Sequence, residues 1–359
     1  MRRTHCLLAV SLTALLAACV APTTVEPVYE PADFDVASVE SAPVMEAAPA
    51  ASAPARGSYA GVARRGVVTA GDIDDALALA TQSHRVPRPT RCALALVHDR
   101  YHAAAVLVSA DGSLTGTYRV EQTWSLPKEW PQRLAGCAQV GVIAYPPSTS
   151  APPLPGTLPW AFLLGQPQPA SPELSPRTVI IANTEPPQSL QLAALAPLTA
   201  PPDATLLVGA VATPQRAAME AKGATLIEFH VHTTRVASSD APALALSESP
   251  AGWALTAEDL ASWDLPRRPV VLLADCVGAV PAGYDYLVWG LPVAFRAAGA
   301  RAVVAALTDI PDVEGAQVFA EIREGLRHDP NVARVVSRIR AEKISADPTS
   351  WVRNIVVFE

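Results

Sequence analysis

Two residues with complementary chemistry end separate apolar runs of this sequence. His232 ends the run 226–232, and Cys276 ends the run 270–276. Each run has the length and composition of a buried β-strand. Ligands bind beyond the carboxyl ends of the strands in open parallel sheets. If these two strands are neighbours, the imidazole and the thiol emerge at the same edge of the sheet.

A thiol beside an imidazole is suited to nucleophilic catalysis. Only the thiolate attacks a carbonyl carbon, and a nearby imidazolium lowers the pKa of a thiol. The resulting oxyanion needs donors, and the backbone N–H groups of Thr233 and Cys276 are the candidates. Gly278 would let the chain turn beside the nucleophile without crowding a substrate.

Simpler explanations exist for both residues. A cysteine at a strand end often packs as a small hydrophobic residue, and a histidine there often hydrogen-bonds within the core. His230, His232 and Cys276 would also supply three zinc ligands, but no fourth ligand has suitable spacing. We therefore expect neither a metal nor a cofactor at this site.

The elements that must position these residues follow an α/β pattern. Apolar runs at 225–231, 270–274 and 302–307 alternate with helical patterns, which predicts a mostly parallel sheet flanked by helices. Upstream, alternating runs and a turn at Asp111-Gly112 predict a β-rich portion. The predicted organisation is a short helical segment and linker at 67–90, a β-rich part at about 91–165 and an α/β core at about 175–359.

The motifs around His232 and Cys276 resemble those of the CHAT domain, a family in the caspase and separase group of cysteine peptidases. That family has an apolar strand ending in His-Gly, a Leu-Thr-Ala helix start, a strand entering Ser-Ala-Cys, and Ala-Gly-Ala-Arg before the next strand. The counterparts here lie at 229–233, 255–257, 274–276 and 298–301. The resemblance runs through 224–358 and more faintly back to Cys92. It implies a caspase-like fold, with His232 as the base and Cys276 as the nucleophile acting on a protein or peptide substrate.

The sequence also departs from that family pattern. Thr233 stands where the family has Gly, and Val277-Gly278-Ala279 follows the cysteine where the family has Glu-Thr-Gly. A β-branched residue restricts the backbone more than glycine does. Two functions therefore remain open, an endopeptidase that uses the His232/Cys276 dyad, and an inactive domain of the same fold that binds a peptide or protein.

Three cysteines follow Cys19, and their number is odd. Cys92 and Cys137 each precede an apolar run, so a disulfide between them within one sheet is one expectation, with Cys276 left free and reactive. The alternative is three buried, inert cysteines.

The N-terminus has the pattern of a targeting segment. Arg2 and Arg3 precede an apolar run at 6–18 that is too short to span a bilayer. The ending Leu-Ala-Ala-Cys at 16–19 resembles the lipobox of bacterial lipoproteins, which implies a signal peptide at 1–19 and lipidation of Cys19. Val20, rather than Asp, after that cysteine implies the outer membrane. The alternative is a plain secretory signal.

The composition sets the remaining limits. Residues 20–66 are rich in Pro and Ala and have few large apolar residues spaced to form a buried face, which predicts a disordered tether. The chain is 50% hydrophobic and only 17% charged, enough for a substantial core.

The net charge is −7 and the sequence has no basic stripe, so nucleic acid is not an expected partner. The expected partners are a protein or peptide substrate and, through the lipid anchor, a membrane of the cell envelope.

Overall fold

The computed structural model describes residues 69–98, 103–119, 126–145, 152–165, 168–169, 175–198, 200–236, 241–276, 278–279, 281–282 and 288–359. The predicted signal peptide, Cys19 and the predicted tether lie outside these residues. Within the described part of the chain, every helix is too short or too polar to cross a bilayer.

Strands and helices alternate along most of the described chain. The strands are β1 Ala93–His98, β2 Ala103–Val108, β3 Leu114–Arg119, β4 Val140–Tyr145, β5 Trp160–Phe162, β6 Thr178–Ala182, β7 Thr205–Val208, β8 Leu226–His230, β9 His232–Val236, β10 Ala241–Ala245, β11 Ala254–Thr256, β12 Val270–Leu273, β13 Pro281–Ala282, β14 Val288–Trp289, β15 Ala302–Ala306 and β16 Ile355–Phe358. The α-helices are α1 Ala70–Ser83, α2 Trp130–Arg133, α3 Pro214–Ala221, α4 Ala257–Ala261, α5 Leu291–Ala297, α6 Asp312–His328 and α7 Val332–Ala346. Short 3₁₀ turns occupy Gln188–Leu190, Gly209–Val211 and Trp351–Asn354.

Eleven of these strands form one large sheet in the order β3-β2-β1-β4-β5-β16-β15-β12-β8-β6-β7. Seven of its ten neighbouring pairs are parallel, and the antiparallel pairs are β3/β2, β2/β1 and β15/β16. The predicted mostly parallel α/β fold, with a β-rich portion at its N-terminal side, is therefore confirmed.

Helices cover both faces of the sheet, because its central strands are apolar on both sides. On one face, Leu260 of α4 and Phe295 of α5 belong to the same buried cluster as Phe229 of β8. On the other face, Phe319 of α6 and Val336 of α7 pack with the strands, together with other residues of α6 and α7. The central strands are thereby buried between two helical layers.

Helix α1 packs on the antiparallel end of the sheet. Thr69 caps this helix through a capping box with Asp72, and the cluster that contains Leu77 also contains Val106 of β2 and Ile143 of β4. A capping box of this kind stabilises a helix end by about 1 kcal/mol. Nearby, Cys92 and Cys137 form a disulfide that closes a segment of 45 residues.

Three local features differ from the sequence-based expectation. The sequence pattern at 286–298 predicts a helix, but α5 begins only at Leu291, directly before Pro292, a residue favoured in the first turn of a helix. The apolar run at 351–358 predicts a final strand, but β16 begins at Ile355, after the last 3₁₀ turn. A separate antiparallel sheet, β11-β10-β9, was not predicted, and its consequence for His232 is described below.

Candidate active site

The strands that precede His232 and Cys276 are neighbours in the large sheet. β8 and β12 pair in parallel, with Leu273 opposite Phe229. The pairing continues one residue further, because the N–H of Ala274 donates to the carbonyl oxygen of Phe229 at 2.9 Å. His232 and Cys276 each follow this matched pair by three residues, so both leave the sheet at the same edge. The predicted adjacency of these two strands is present in the structure.

His232 itself does not end β8, contrary to the sequence-based interpretation. β8 ends at His230, and His232 begins β9, where it lies opposite Ala245 of β10 in the smaller sheet. Val231 between them is buried in the main core, while β9 is only partly buried. The apolar run therefore spans a change of sheet, and His230 and His232 do not lie on one strand.

The imidazole of His232 is oriented by a loop that lies beside it. Its Nε2–H donates to the carbonyl oxygen of Ala193 at 2.7 Å, since a carbonyl can only accept. With the proton on Nε2, Nδ1 of the neutral ring is the nitrogen that can accept a proton. The contact therefore leaves Nδ1 as the basic nitrogen of the neutral ring.

The loop at 191–198 is anchored at several points. Asn183 Nδ2 donates to the carbonyl oxygens of Leu195 and Ala196 at 3.3 and 3.0 Å, and the N–H of Leu198 donates to Asn183 Oδ1. The N–H of Ala196 also donates to Asp312 Oδ2 at 2.6 Å. Asn183 has a φ of 46°, a left-handed conformation that asparagine tolerates better than most residues. A single asparagine thus ties the end of β6 to the loop that contacts His232.

A cavity of about 290 Å³ lies between this loop and His232. It is lined by Asn183, Thr184, Pro186, Pro187, Gln188, Leu192, Ala193, Ala194, Leu195 and His232. These lining residues include no carboxylate, ammonium or guanidinium group. The cavity is accordingly suited to an uncharged group.

Cys276 is half-buried, and its Sγ lies 3.8 Å from the carbonyl oxygen of Ile310. Ile310 belongs to the connection between β15 and α6. The thiol thus contacts the connection that follows β15, the strand on the opposite side of β12 from β8.

The residues next to the two candidates contact each other directly. Thr233 Oγ1 donates to Asp275 Oδ2 in a short hydrogen bond. Asp275 is buried, and this burial raises the pKa of its carboxyl group to about 7, against the opposing effect of the Thr233 hydroxyl. Asp275 Oδ1 is also buried and accepts no hydrogen bond within the described residues. The loop after the histidine and the loop before the cysteine are therefore joined through a carboxyl group.

Gly278 has a packing role besides the turn that its position after Cys276 predicts. A Cβ atom at residue 278 would overlap Asp275 Oδ1 and lie 3.0 Å from Asp275 Cγ. Any larger residue would therefore displace the Asp275 carboxyl group. The glycine is needed for packing against Asp275, in addition to any space that it leaves for a substrate.

Sequence reasoning missed the Asp275–Thr233 contact, although a signal for it was available. Thr233 stands where the CHAT pattern has Gly, and Asp275 where Ser-Ala-Cys has Ala. The structure places these two departures against each other. Both departures from the family pattern therefore belong to one contact.

His230 has a structural environment. Its Nε2 lies 2.5 Å from Glu228 Oε1, and Glu228 Oε2 accepts a short hydrogen bond from Arg323 of α6. All three side chains are buried. No cluster of metal-ligating side chains occurs within the described residues. Glu228, His230 and Arg323 thus form an ion network that ties β8 to α6.

The α/β domain thus carries a cysteine and a histidine beyond the same edge of its parallel strands. The family model of the CHAT domain matches residues 129–354, which is more than half of the chain. This chain belongs to the CHAT domain family, as its motifs predicted.

Solved structures with a similar fold were also found. Gingipain R (RgpB), an Arg-specific cysteine proteinase, is 12% identical, with 64% of this chain and 65% of that chain covered and a TM-score of 0.39. The pro- and mature domains of Porphyromonas gingivalis RgpB are 13% identical, with 84% and 70% covered and the same TM-score of 0.39. The Saccharomyces cerevisiae separase–securin complex is 12% identical, with 52% and 12% covered and a TM-score of 0.31. The matched part is thus just under two thirds of the gingipain R chain. No curated protein matches this sequence.

Proposed function

We propose that this protein is a cysteine endopeptidase in which Cys276 is the nucleophile and His232 is the base. The observation that carries the proposal is the parallel pairing of β8 with β12, because these strands lead to His232 and Cys276 at the same edge of the sheet. The tautomer of His232 supports the assignment, because its Nδ1 is available to take a proton.

The proposed reaction has two steps. The thiol proton passes to His232 Nδ1, and Sγ bonds to the peptide carbonyl carbon to give a tetrahedral oxyanion. The C–N bond then breaks, the imidazolium returns its proton to the leaving amine, and a thioester remains on Cys276. Water hydrolyses the thioester, with His232 again as the base. The backbone N–H groups of Thr233 and Cys276 are the proposed oxyanion donors.

The uncharged cavity beside His232 gives this proposal a specific test. A peptide that carries an electrophilic ketone and an uncharged terminal side chain is expected to alkylate Cys276 about tenfold faster than peptides ending in Asp or Arg, because burying an unpaired charge is costly. Intact mass spectrometry and peptide mapping measure the rate and the labelled residue, and Cys276→Ala is the control. Equal, slow labelling by all three peptides, at the rate of free cysteine, would count against a catalytic thiol.

The second candidate function is binding without catalysis. It is favoured by the contact between His232 and Ala193, which holds the imidazole against a loop. An inactive domain would bind the same peptides reversibly in this cleft. The labelling experiment separates the two functions, since a binding module does not activate Cys276.

We also propose that Cys19 anchors the protein to the bacterial cell envelope, at the outer membrane. The support is the apolar run 6–18 that ends in Leu-Ala-Ala-Cys, with Val20 after the cysteine. Acyl chains contribute about 0.8 kcal/mol per buried methylene group, so several chains hold a protein firmly at a membrane. Expression with labelled palmitate is expected to give a labelled, membrane-bound protein. A Cys19→Ser variant that retains the label would contradict lipidation at this residue.

A further inference from the structure

A second cleft lies at the edge of the large sheet opposite to Cys276. Its volume is about 520 Å³, and it contains Thr178, Leu226 and Val270, the first residues of three parallel strands. Its full lining is Pro176, Thr178, Asp203, Thr225, Leu226, Arg267, Arg268, Val270, Arg301, Arg323, Leu326, Arg327 and Pro330. The cleft therefore shares β6, β8 and β12 with the candidate active site but lies at their amino ends.

Arginine dominates the polar lining of this cleft. Five arginines face a single carboxylate, that of Asp203, among the lining residues. Arg327 Nη2 donates to both oxygens of Asp203, at 3.0 and 2.8 Å. Arg323 is bonded to the buried Glu228 beneath the cleft. These two guanidinium groups are thus neutralised by acids of the protein.

The remaining lining arginines are Arg267, Arg268 and Arg301. Arg267 donates to the carbonyl oxygens of Gly223 and Ser175 at 2.7 and 2.8 Å, and Arg301 donates to the carbonyl oxygen of Pro330 at 3.0 Å. Main-chain carbonyls fix the orientation of a guanidinium group, so the donors of Arg267 and Arg301 are held in place at the cleft. Arg268, the residue after Arg267, is half-buried and has a φ of 49°.

These charges lie partly out of water. Burial lowers the pKa of Arg301, and attraction by Glu359 only partly opposes that effect. Several like charges in a concave, partly desolvated site repel one another, and a bound anion removes that cost. Planar guanidinium groups bind phosphate oxygens through paired hydrogen bonds.

We propose that this cleft binds a small anion that carries one or more phosphate groups. Its volume is in the range of small-molecule sites, which favours a compact ligand over a polymer. A soluble phosphorylated molecule and the headgroup of an anionic phospholipid share this chemistry. The proposal does not depend on the function of Cys276, because the two sites lie at opposite ends of the strands.

Isothermal titration calorimetry of the full chain with inorganic pyrophosphate tests the proposal. Binding is expected to weaken about tenfold in Arg268→Gln and in Arg301→Gln, the loss of one charge-assisted contact. Arg88→Gln is the matched control, since it removes the same charge from an exposed pair with Asp74 outside the cleft. Thermal unfolding of each variant shows that it is folded. With two separate cleft variants, poor folding of one leaves the test intact.

Soluble dioctanoyl phosphatidic acid identifies the source of the phosphate, with dioctanoyl phosphatidylcholine as its control. Phosphatidic acid that pyrophosphate displaces indicates a lipid headgroup, and binding of pyrophosphate alone indicates a soluble ligand. Both results support the site. The proposal is overturned if the wild-type protein does not bind millimolar pyrophosphate, or if Arg88→Gln weakens binding as much as the cleft variants do.

Discussion

Replacing Cys276 with alanine is expected to reduce peptide cleavage by at least about 10³-fold, the loss that follows removal of a catalytic nucleophile or base. His232→Ala is expected to cause a loss of similar size, because the two residues act as a unit. The double variant should be no slower than either single variant. Cleavage of a quenched fluorescent peptide library measures the rates.

The controls for this experiment address folding and surface charge. His328→Ala removes an exposed histidine of α6 whose Nε2 lies 3.1 Å from Glu324 Oε1, and should leave the rate unchanged. Circular dichroism and thermal unfolding compare the variants with the wild-type protein. If cleavage persists in folded Cys276→Ala, the nucleophile is a different residue. If it persists in folded His232→Ala alone, another group takes the thiol proton.

The central part of the fold was predictable because it rests on simple periodicity. Buried parallel strands such as β8 and β12 are short, continuous apolar runs, and helical patterns separate them. Right-handed crossovers then place consecutive strands side by side at one edge. The placement of Cys276 beyond β12 follows from the same reasoning.

The exact surroundings of His232 were not predictable in this way. The apolar run 226–232 continues through the point where the chain leaves the large sheet, so periodicity gives no sign of the break at Val231. The partner of the imidazole, Ala193, is supplied by an irregular loop 39 residues earlier. A main-chain carbonyl in a loop has no sequence signature, so only the structure identifies it.

The arginine cleft was not predictable from the sequence for a related reason. Its arginines come from the connections before β12 and β15 and from α6, and they are separated by acidic and neutral residues along the chain. The net charge of −7 and the absence of a basic stripe describe the sequence correctly. The sheet brings these positions together, because the amino ends of parallel strands lie at one edge.

Asp275 connects the candidate site to a measurable dependence of stability on pH. Its carboxyl pKa is about 7 in the folded protein, raised by burial above the ordinary value of 3.8. Between these two values, the folded state holds a proton that the unfolded state has released. The free energy of unfolding is therefore expected to fall as pH rises from about 4 to about 7, by up to roughly 4 kcal/mol from this group. Above pH 7, Asp275 is ionised in both states, and the free energy of unfolding no longer changes with pH through this group.

Asp275→Asn is expected to remove this pH dependence, because the amide does not titrate in this range. Near pH 4 the variant should be about as stable as the wild-type protein, since a neutral amide replaces a neutral acid and its oxygen can accept from Thr233. At pH 8 it should be more stable by up to roughly 4 kcal/mol, because the wild-type protein then buries a carboxylate whose Oδ1 accepts no hydrogen bond within the described residues. Urea unfolding from pH 4 to pH 8 measures both quantities.

The matched control is Asp264→Asn, which removes an exposed carboxyl group and is expected to leave the wild-type pH dependence in place. Thr233→Val keeps the β-branched shape but removes the hydroxyl that stabilises the ionised form of Asp275, so it should raise the carboxyl pKa further and extend the loss of stability to higher pH. A wild-type slope in Asp275→Asn would show that another group titrates. An unchanged profile in Thr233→Val would show that the threonine does not bear on the ionisation of Asp275, and that the two loops are held together by packing alone.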